Sequence, residues 1–164
     1  MSFRIGQGYD VHRLAEGETL WLGGVLVPHS KGTVAHSDGD VLIHAICDAL
    51  LGAANMRDIG FHFPPTDDQY KGIDSKVLLR KVITIIGTRG FTIGNIDATV
   101  ALQAPRLSPY MDNIRKTLAQ TMEIEEEDIS IKATTTERLG FTGRGEGIAA
   151  EAMVLLDRAE ALND

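Results

Sequence analysis

The chain has 164 residues, with 16 Lys and Arg against 23 Asp and Glu, a net charge of −7. That length suits one domain, residues 1–164, burying about two-thirds of its unfolded surface, and the acidic balance argues against duplex nucleic acid or an anionic membrane as the main partner. The single Cys excludes an intrachain disulfide, and no run of 18 apolar residues is present to span a bilayer.

The opening stretch, MSFRIGQGYDVHRL, carries neither a signal-type apolar region nor an Arg/Ser-rich transit pattern, so a cytoplasmic location is expected. Residues 2–12 read as extended. Residues 19–28 (TLWLGGVLVP) read as a hairpin turning at Gly23-Gly24, and 29–36 as a loop. Ser37 is the expected N-cap of a helix reaching Ala54, with Asp40 three positions on as a short capping box. That helix is apolar almost all round, which predicts a buried position or a subunit interface. Residues 55–72 (NMRDIGFHFPPTDDQYKG) form a long Gly-, Pro- and Asp-rich loop of the kind that is functional or mobile. Asp74 caps a second helix to about Thr88, closed by Gly90, and residues 91–103 alternate as a strand through Ile96, Ala98, Val100 and Leu102. Ser108-Pro109 gives an N-cap and N1 pair for a helix to about Met122. Residues 128–136 (DISIKATTT) are strand-like, and after a Gly-rich turn Ile148 to Leu162 reads as a last helix. The expected fold is α+β: one mostly four-stranded mixed sheet with helices packed on one face.

Three stretches carry chemistry. In Asp10-Val11-His12, a carboxylate and an imidazole two residues apart on an extended segment leave the same face. This is either half of a site for a borderline metal such as zinc, or a capped turn or surface pair. In the first helix, Asp40, His44 and Asp48 fall at i, i+4 and i+8 and form one polar stripe. A stripe on an apolar helix faces water, a partner or a site, because burying it unpaired is costly. Solvent-facing stripes are usually built from Lys, Glu and Arg, whereas His and Asp serve as ligands and caps. Combined, Asp10, His12 and His44 offer three ligands and leave a fourth tetrahedral position open, the pattern of a working zinc site, with Asp40 or Asp48 as an outer acceptor for an imidazole N–H. His29 reads as a loop residue, and Cys47, inside the apolar run, as core.

The third stretch, Lys132 to Gly147 (KATTTERLGFTGRGEG), runs from a strand through three hydroxyls and a carboxylate into glycines. Such a bend is a phosphate cradle, with Glu137 placed for a magnesium held mainly by phosphate and water, or else a strand end and a structural turn. No Walker A or Rossmann glycine pattern is present. On these residues alone, a zinc hydrolase and a non-catalytic binding module both stay open.

Taken together, YDVH, AHSDGDVLIHAICDALLGAA, RDIGFHFPPTD, an Ala-Pro pair followed by a basic residue, and IKATTTERLGFTGRGEGIAAEA closely resemble the 2-C-methyl-D-erythritol 2,4-cyclodiphosphate synthase family, in order and over nearly the whole chain. The resemblance implies a phosphorus–oxygen lyase of the non-mevalonate isoprenoid pathway. Such an enzyme closes 4-diphosphocytidyl-2-C-methyl-D-erythritol 2-phosphate to a cyclic diphosphate with loss of CMP. It also implies a homotrimer with active sites between subunits, one Zn²⁺ and one Mg²⁺ or Mn²⁺ per site, and an axial cavity linked to isoprenoid diphosphates.

By the same resemblance, Asp10, His12 and His44 hold zinc, and Glu137 holds magnesium or manganese. His36 and Ser37 meet substrate phosphate, Asp58 and Gly60 meet the ribose, and Thr134 and Thr135 join Ala104, Pro105, Arg106, Leu107 and Ser108 in the cytidine and phosphate pocket. Phe141, Arg144 and Glu146 lie near the trimer axis, with Phe141 and Arg144 also able to meet substrate. Two departures stand out: Pro65, with Asp67 two residues later, where the family often has an acidic residue after Phe-Pro, and Arg106-Leu107-Ser108 where it often has Lys and two apolar residues.

Overall fold

The computed structural model describes residues 3–158. In chain order the elements are β1 (Phe3–Glu16), β2 (Trp21–Leu22), β3 (Val25–Leu26), β4 (Lys31–Val34), α1 (Val41–Ala53), α2 (Ile59–His62), α3 (Ser75–Gly87), β5 (Phe91–Ala101), α4 (Met111–Met122), β6 (Ile129–Thr134), α5 (Gly140–Gly143) and β7 (Gly147–Arg158). The main sheet is mixed and five-stranded, in the order β4-β1-β7-β5-β6, with only β5 and β6 parallel. The fold is α+β, as expected, with one more strand than anticipated. No helix among the described residues is long and apolar enough to cross a membrane.

The glycines of β1 decide how helix and sheet meet. Gly6, Gly8, Asp10, His12 and Leu14 alternate onto one face. A Cβ at Gly6 would sit 1.9 Å from the Ala49 carbonyl oxygen, and one at Gly8 the same distance from that of Ala45. Helix α1 therefore lies backbone-close on β1, running opposite to it. The next same-face residues, Asp10 and His12, reach the N-terminal turn of α1, where His44 stands. Behind them Ile148, Ala150, Ala152, Val154 and Leu156 of β7 and Ile96, Ala98 and Val100 of β5 complete the buried face against α1. The opposite face leaves Phe3, Ile5, Tyr9, Val11 and Met153 exposed.

Four local expectations are corrected. Residues 148–158 are strand, not helix; 159–162, the rest of that expected helix, lie outside the described residues. Ala, Glu, Leu and Met favour helix intrinsically, but the segment is the central strand between β1 and β5, and tertiary context overrides propensity. Helix α1 starts at Val41, capped by Asp40 rather than Ser37: the Asp40 side chain accepts from Ile43 N–H, and Gly39, at φ +74°, turns the chain just before it. Residues 31–34, read as loop, are the edge strand β4. Ser108 caps nothing; Ser108–Tyr110 is a 3-10 turn leading into α4. The Gly23-Gly24 hairpin turn, with both residues at positive φ, and the Asp74 cap of α3 stand as expected.

Candidate metal centre

Asp10 Oδ2 lies 2.9 Å from His12 Nε2 and 3.2 Å from His44 Nδ1, and the two ring nitrogens are 3.0 Å apart. A tetrahedral zinc with bonds of about 2.0–2.1 Å has ligand-to-ligand edges of about 3.3 Å, so this triangle is one face of such a site, and its atoms are the oxygen and imidazole donors zinc accepts. Among the described residues these three form the cluster suited to a cation; Glu137 is not part of it. Their side chains keep 27%, 16% and 11% of their surface, which leaves the fourth position reachable from outside.

The charges respond to each other. Burial opposes ionisation of Asp10, yet hydrogen bonds from His12 and His44 and the attraction of both rings hold its carboxyl well below the usual carboxylate range. Burial pulls His44 down, but the Asp10 bond and the charges of Asp10, Asp40 and Asp38 outweigh it and raise its pKa above 6.5.

Asp40 and Asp48 have other partners than the imidazoles, which corrects their expected outer-acceptor role. Asp40, fully buried, accepts from Gly23 N–H at 2.9 Å, Gly24 N–H at 2.7 Å and Ile43 N–H at 3.0 Å, so it ties the β2–β3 hairpin to the start of α1. Asp48 accepts from Ile59 N–H at 2.8 Å and anchors α2. Burial raises both carboxyl pKa values. The groups at His44 Nε2 are instead Ser75 Oγ at 2.9 Å and Ser37 Oγ at 3.3 Å. Nothing in the sequence pairs position 44 with 75, because the link runs through the fold of the loop between them.

A cleft of about 260 Å³ opens on the cluster, lined by His12, His36, Ser37, His44, Gly60 and Phe63 among others. Pro65 also lines it, and His36 Nε2 reaches the Asp67 carbonyl at 3.4 Å, which ties the 63–70 loop to its rim. Asp58 caps α2 through Phe61 N–H at 2.9 Å. A second cleft of about 580 Å³ takes Pro105, Arg106, Leu107, Ser108, Thr134 and Thr135 into its lining, next to Ala104. The two clefts share no lining residue.

Glu137 lies exposed on the turn after β6, with φ +54°, and Arg138 follows at +62°. Two successive non-glycine residues in the left-handed region cost about 1–2 kcal/mol each and persist only where the surroundings impose them. Gln103 accepts from Arg138 N–H at 3.2 Å, Thr136 and Thr142 hydroxyls meet at 2.7 Å, and a Cβ at Gly143 would sit 2.2 Å from the Arg138 carbonyl carbon. In the sequence Gln103 carries no signal beyond its place before Ala104-Pro105. Phe141 is part-exposed beside Gly147, and Arg144 pairs with Glu146 at 2.8 Å. Cys47 is fully buried and its thiol is pushed well up by burial, which fits core rather than nucleophile.

An α+β sheet that brings an Asp-His-His face to the mouth of an open cleft presents a group that could hold a metal ion, the arrangement of a metal-dependent enzyme. The comparisons define it further. The YgbB family model matches residues 3–157, and the chain belongs to that family. A 2-C-methyl-D-erythritol 2,4-cyclodiphosphate synthase of Porphyromonas gingivalis is 62% identical over 154 residues, 94% of this chain and 95% of the relative. The bifunctional IspDF of Campylobacter jejuni superposes with a TM-score of 0.93 at 41% identity, covering 96% of this chain, which spans 43% of that longer protein. The CDP complex of IspF from Plasmodium falciparum superposes with a TM-score of 0.85 at 37% identity, covering 97% of this chain and 98% of that one.

Proposed function

We propose that the chain, a single domain acting in the cytoplasm, converts 4-diphosphocytidyl-2-C-methyl-D-erythritol 2-phosphate to 2-C-methyl-D-erythritol 2,4-cyclodiphosphate and CMP. The observation that carries this reading is the open-faced Asp10-His12-His44 triangle beside an open cleft, in a chain 62% identical to a synthase of that name. An oxygen of the 2-phosphate attacks the β-phosphorus, the bond from that phosphorus to the α-phosphate oxygen breaks, and CMP leaves with the electron pair. The attacking phosphate is already largely ionised near neutral pH, so no general base is required.

Catalysis is then mostly positioning and charge neutralisation. Asp10, His12 and His44 would hold Zn²⁺ and Glu137 would hold Mg²⁺ or Mn²⁺; when bound, these cations supply Lewis-acid polarisation of the diphosphate and offset the charge on departing CMP. His36 and Ser37, on the rim of the first cleft, donate hydrogen bonds to phosphate oxygens. Asp58 and Gly60 receive the ribose. Residues 104–108, with the hydroxyls of Thr134 and Thr135, receive cytosine and phosphate in the second cleft, in keeping with the CDP complex of the Plasmodium falciparum protein.

The separation of the two clefts supports a site assembled between copies, one chain giving the triangle and its neighbour the nucleotide cleft. The exposed apolar face of β1 and β7 is a surface such a homotrimer would cover. Phe141, Arg144 and Glu146 would then stand near its axis, beside a cavity open to an isoprenoid diphosphate. Incubation with the cytidylyl substrate in ¹⁸O-water, followed by mass spectrometry, tests the reaction. CMP and a cyclic diphosphate free of solvent oxygen are expected; a ring-opened product carrying ¹⁸O assigns hydrolysis instead.

A further inference from the structure

We propose that Ser75 and Asp38 form a hydrogen-bond relay that fixes the tautomer of His44 and so sets the affinity of the metal centre. The inference rests on the reading of Asp10, His12 and His44 as zinc ligands and adds two positioning residues to it. Ser75 is fully buried at the first position of α3, and His44 is nearly so. The Ser75 hydroxyl has one proton. Its oxygen makes a close hydrogen bond to Asp38 Oδ1, and an ionised carboxylate only accepts, so the proton points to Asp38. What remains toward His44 is a lone pair, 2.9 Å from Nε2. Nε2 must therefore carry the ring hydrogen. In the neutral form that binds a metal, that is the imidazole's one ring hydrogen, so Nδ1, the atom that faces Asp10 and His12, keeps its lone pair for the cation.

Asp38 is held in turn. Its Oδ2 accepts from Ser75 N–H at 2.8 Å, its Oδ1 from Asp40 N–H at 3.2 Å, and its own N–H donates to the Ile73 carbonyl at 3.1 Å. The relay thus joins the 36–40 bend, α1 and the start of α3 at a single ring. Ser37 Oγ, at 3.3 Å from Nε2, accepts from Gly39 N–H but has no carboxylate beside it to orient its proton, so it leaves the tautomer unset.

A purely structural role for the same residues predicts something else. Asp38 accepts the Ser75 backbone N–H whatever the side chain at 75, so Ser75→Ala keeps that tie to α3 and removes only the relay. The test is zinc affinity of the full chain by competition with a chromophoric chelator. Wild type is compared with Ser75→Ala, Asp38→Asn, Asp74→Asn as a control on the α3 cap, and His44→Ala. The relay predicts about 10–100-fold weaker zinc binding in Ser75→Ala and Asp38→Asn, the size expected when a metal-ligating histidine loses its outer partner, and no comparable loss in Asp74→Asn. It also predicts a slowly exchanging Nε2–H resonance from His44 in the zinc-loaded wild type that Ser75→Ala lacks.

Zinc affinities of Ser75→Ala and Asp38→Asn within about twofold of wild type, with that resonance unchanged, overturn the relay. If Ser75→Ala does not fold, Asp38→Asn carries the same comparison. A His44→Ala chain that binds zinc as tightly as wild type overturns the ligand assignment itself, a result distinct from failure of the relay alone.

Discussion

His44→Ala is expected to abolish measurable cyclisation, with kcat/KM falling by at least about a thousandfold, equivalent to ~4 kcal/mol of transition-state stabilisation. The imidazole is one corner of the triangle, and the other two groups come from one strand two residues apart. Removing it leaves a two-point grip on a cation that ordinarily takes three protein ligands in a working site. Removal also strips Ser75 of a partner and opens space beneath the cleft, so the fold must be checked separately by thermal unfolding of the metal-free protein. Steady-state CMP release at saturating zinc is the measurement. A variant turning over within about tenfold of wild type contradicts the ligand role.

Glu137→Gln is expected to lower kcat by about 100-fold or more at low magnesium and to leave stability within about 0.5 kcal/mol. The side chain is exposed, and the left-handed backbone of Glu137 and Arg138 is imposed by Gln103, Gly143 and the Thr136–Thr142 pair rather than by the carboxylate. The amide keeps the shape and loses the charge, so the variant separates cation binding from folding. Higher magnesium or manganese should recover part of the rate. Wild-type speed at low magnesium contradicts the assignment of Glu137 to a second cation.

The residue-level reading of the metal site reached further than the reading of the chain's last element. Asp10 and His12 share a strand face by simple alternation, and the odd chemistry of the α1 stripe singles out His44, so two local periodicities sufficed for the triangle. Its exact meeting point rests on Gly6 and Gly8, whose bare backbone lets α1 approach; a Gly-x-Gly in a strand signals close approach, but not of what. β7 was legible only through long-range pairing. Its alanines and leucines suit a helix until β1 and β5 are placed on either side. Asp40 reads as an outer acceptor for an imidazole because it lies in line with His44, yet three backbone N–H groups converge on it, two of them from a hairpin sixteen or more residues earlier. Ser75 and Asp38 lie 37 residues apart, and no local pattern couples them.

The most direct measurement is X-ray diffraction from crystals of the active protein at energies on either side of the zinc edge. The account predicts one anomalous peak per chain, about 2.0–2.1 Å from Asp10 Oδ2, His12 Nε2 and His44 Nδ1, with its remaining coordination open to the cleft lined by His36 and Ser37. Catalytically competent crystals with those three groups splayed apart and no peak between them would contradict it.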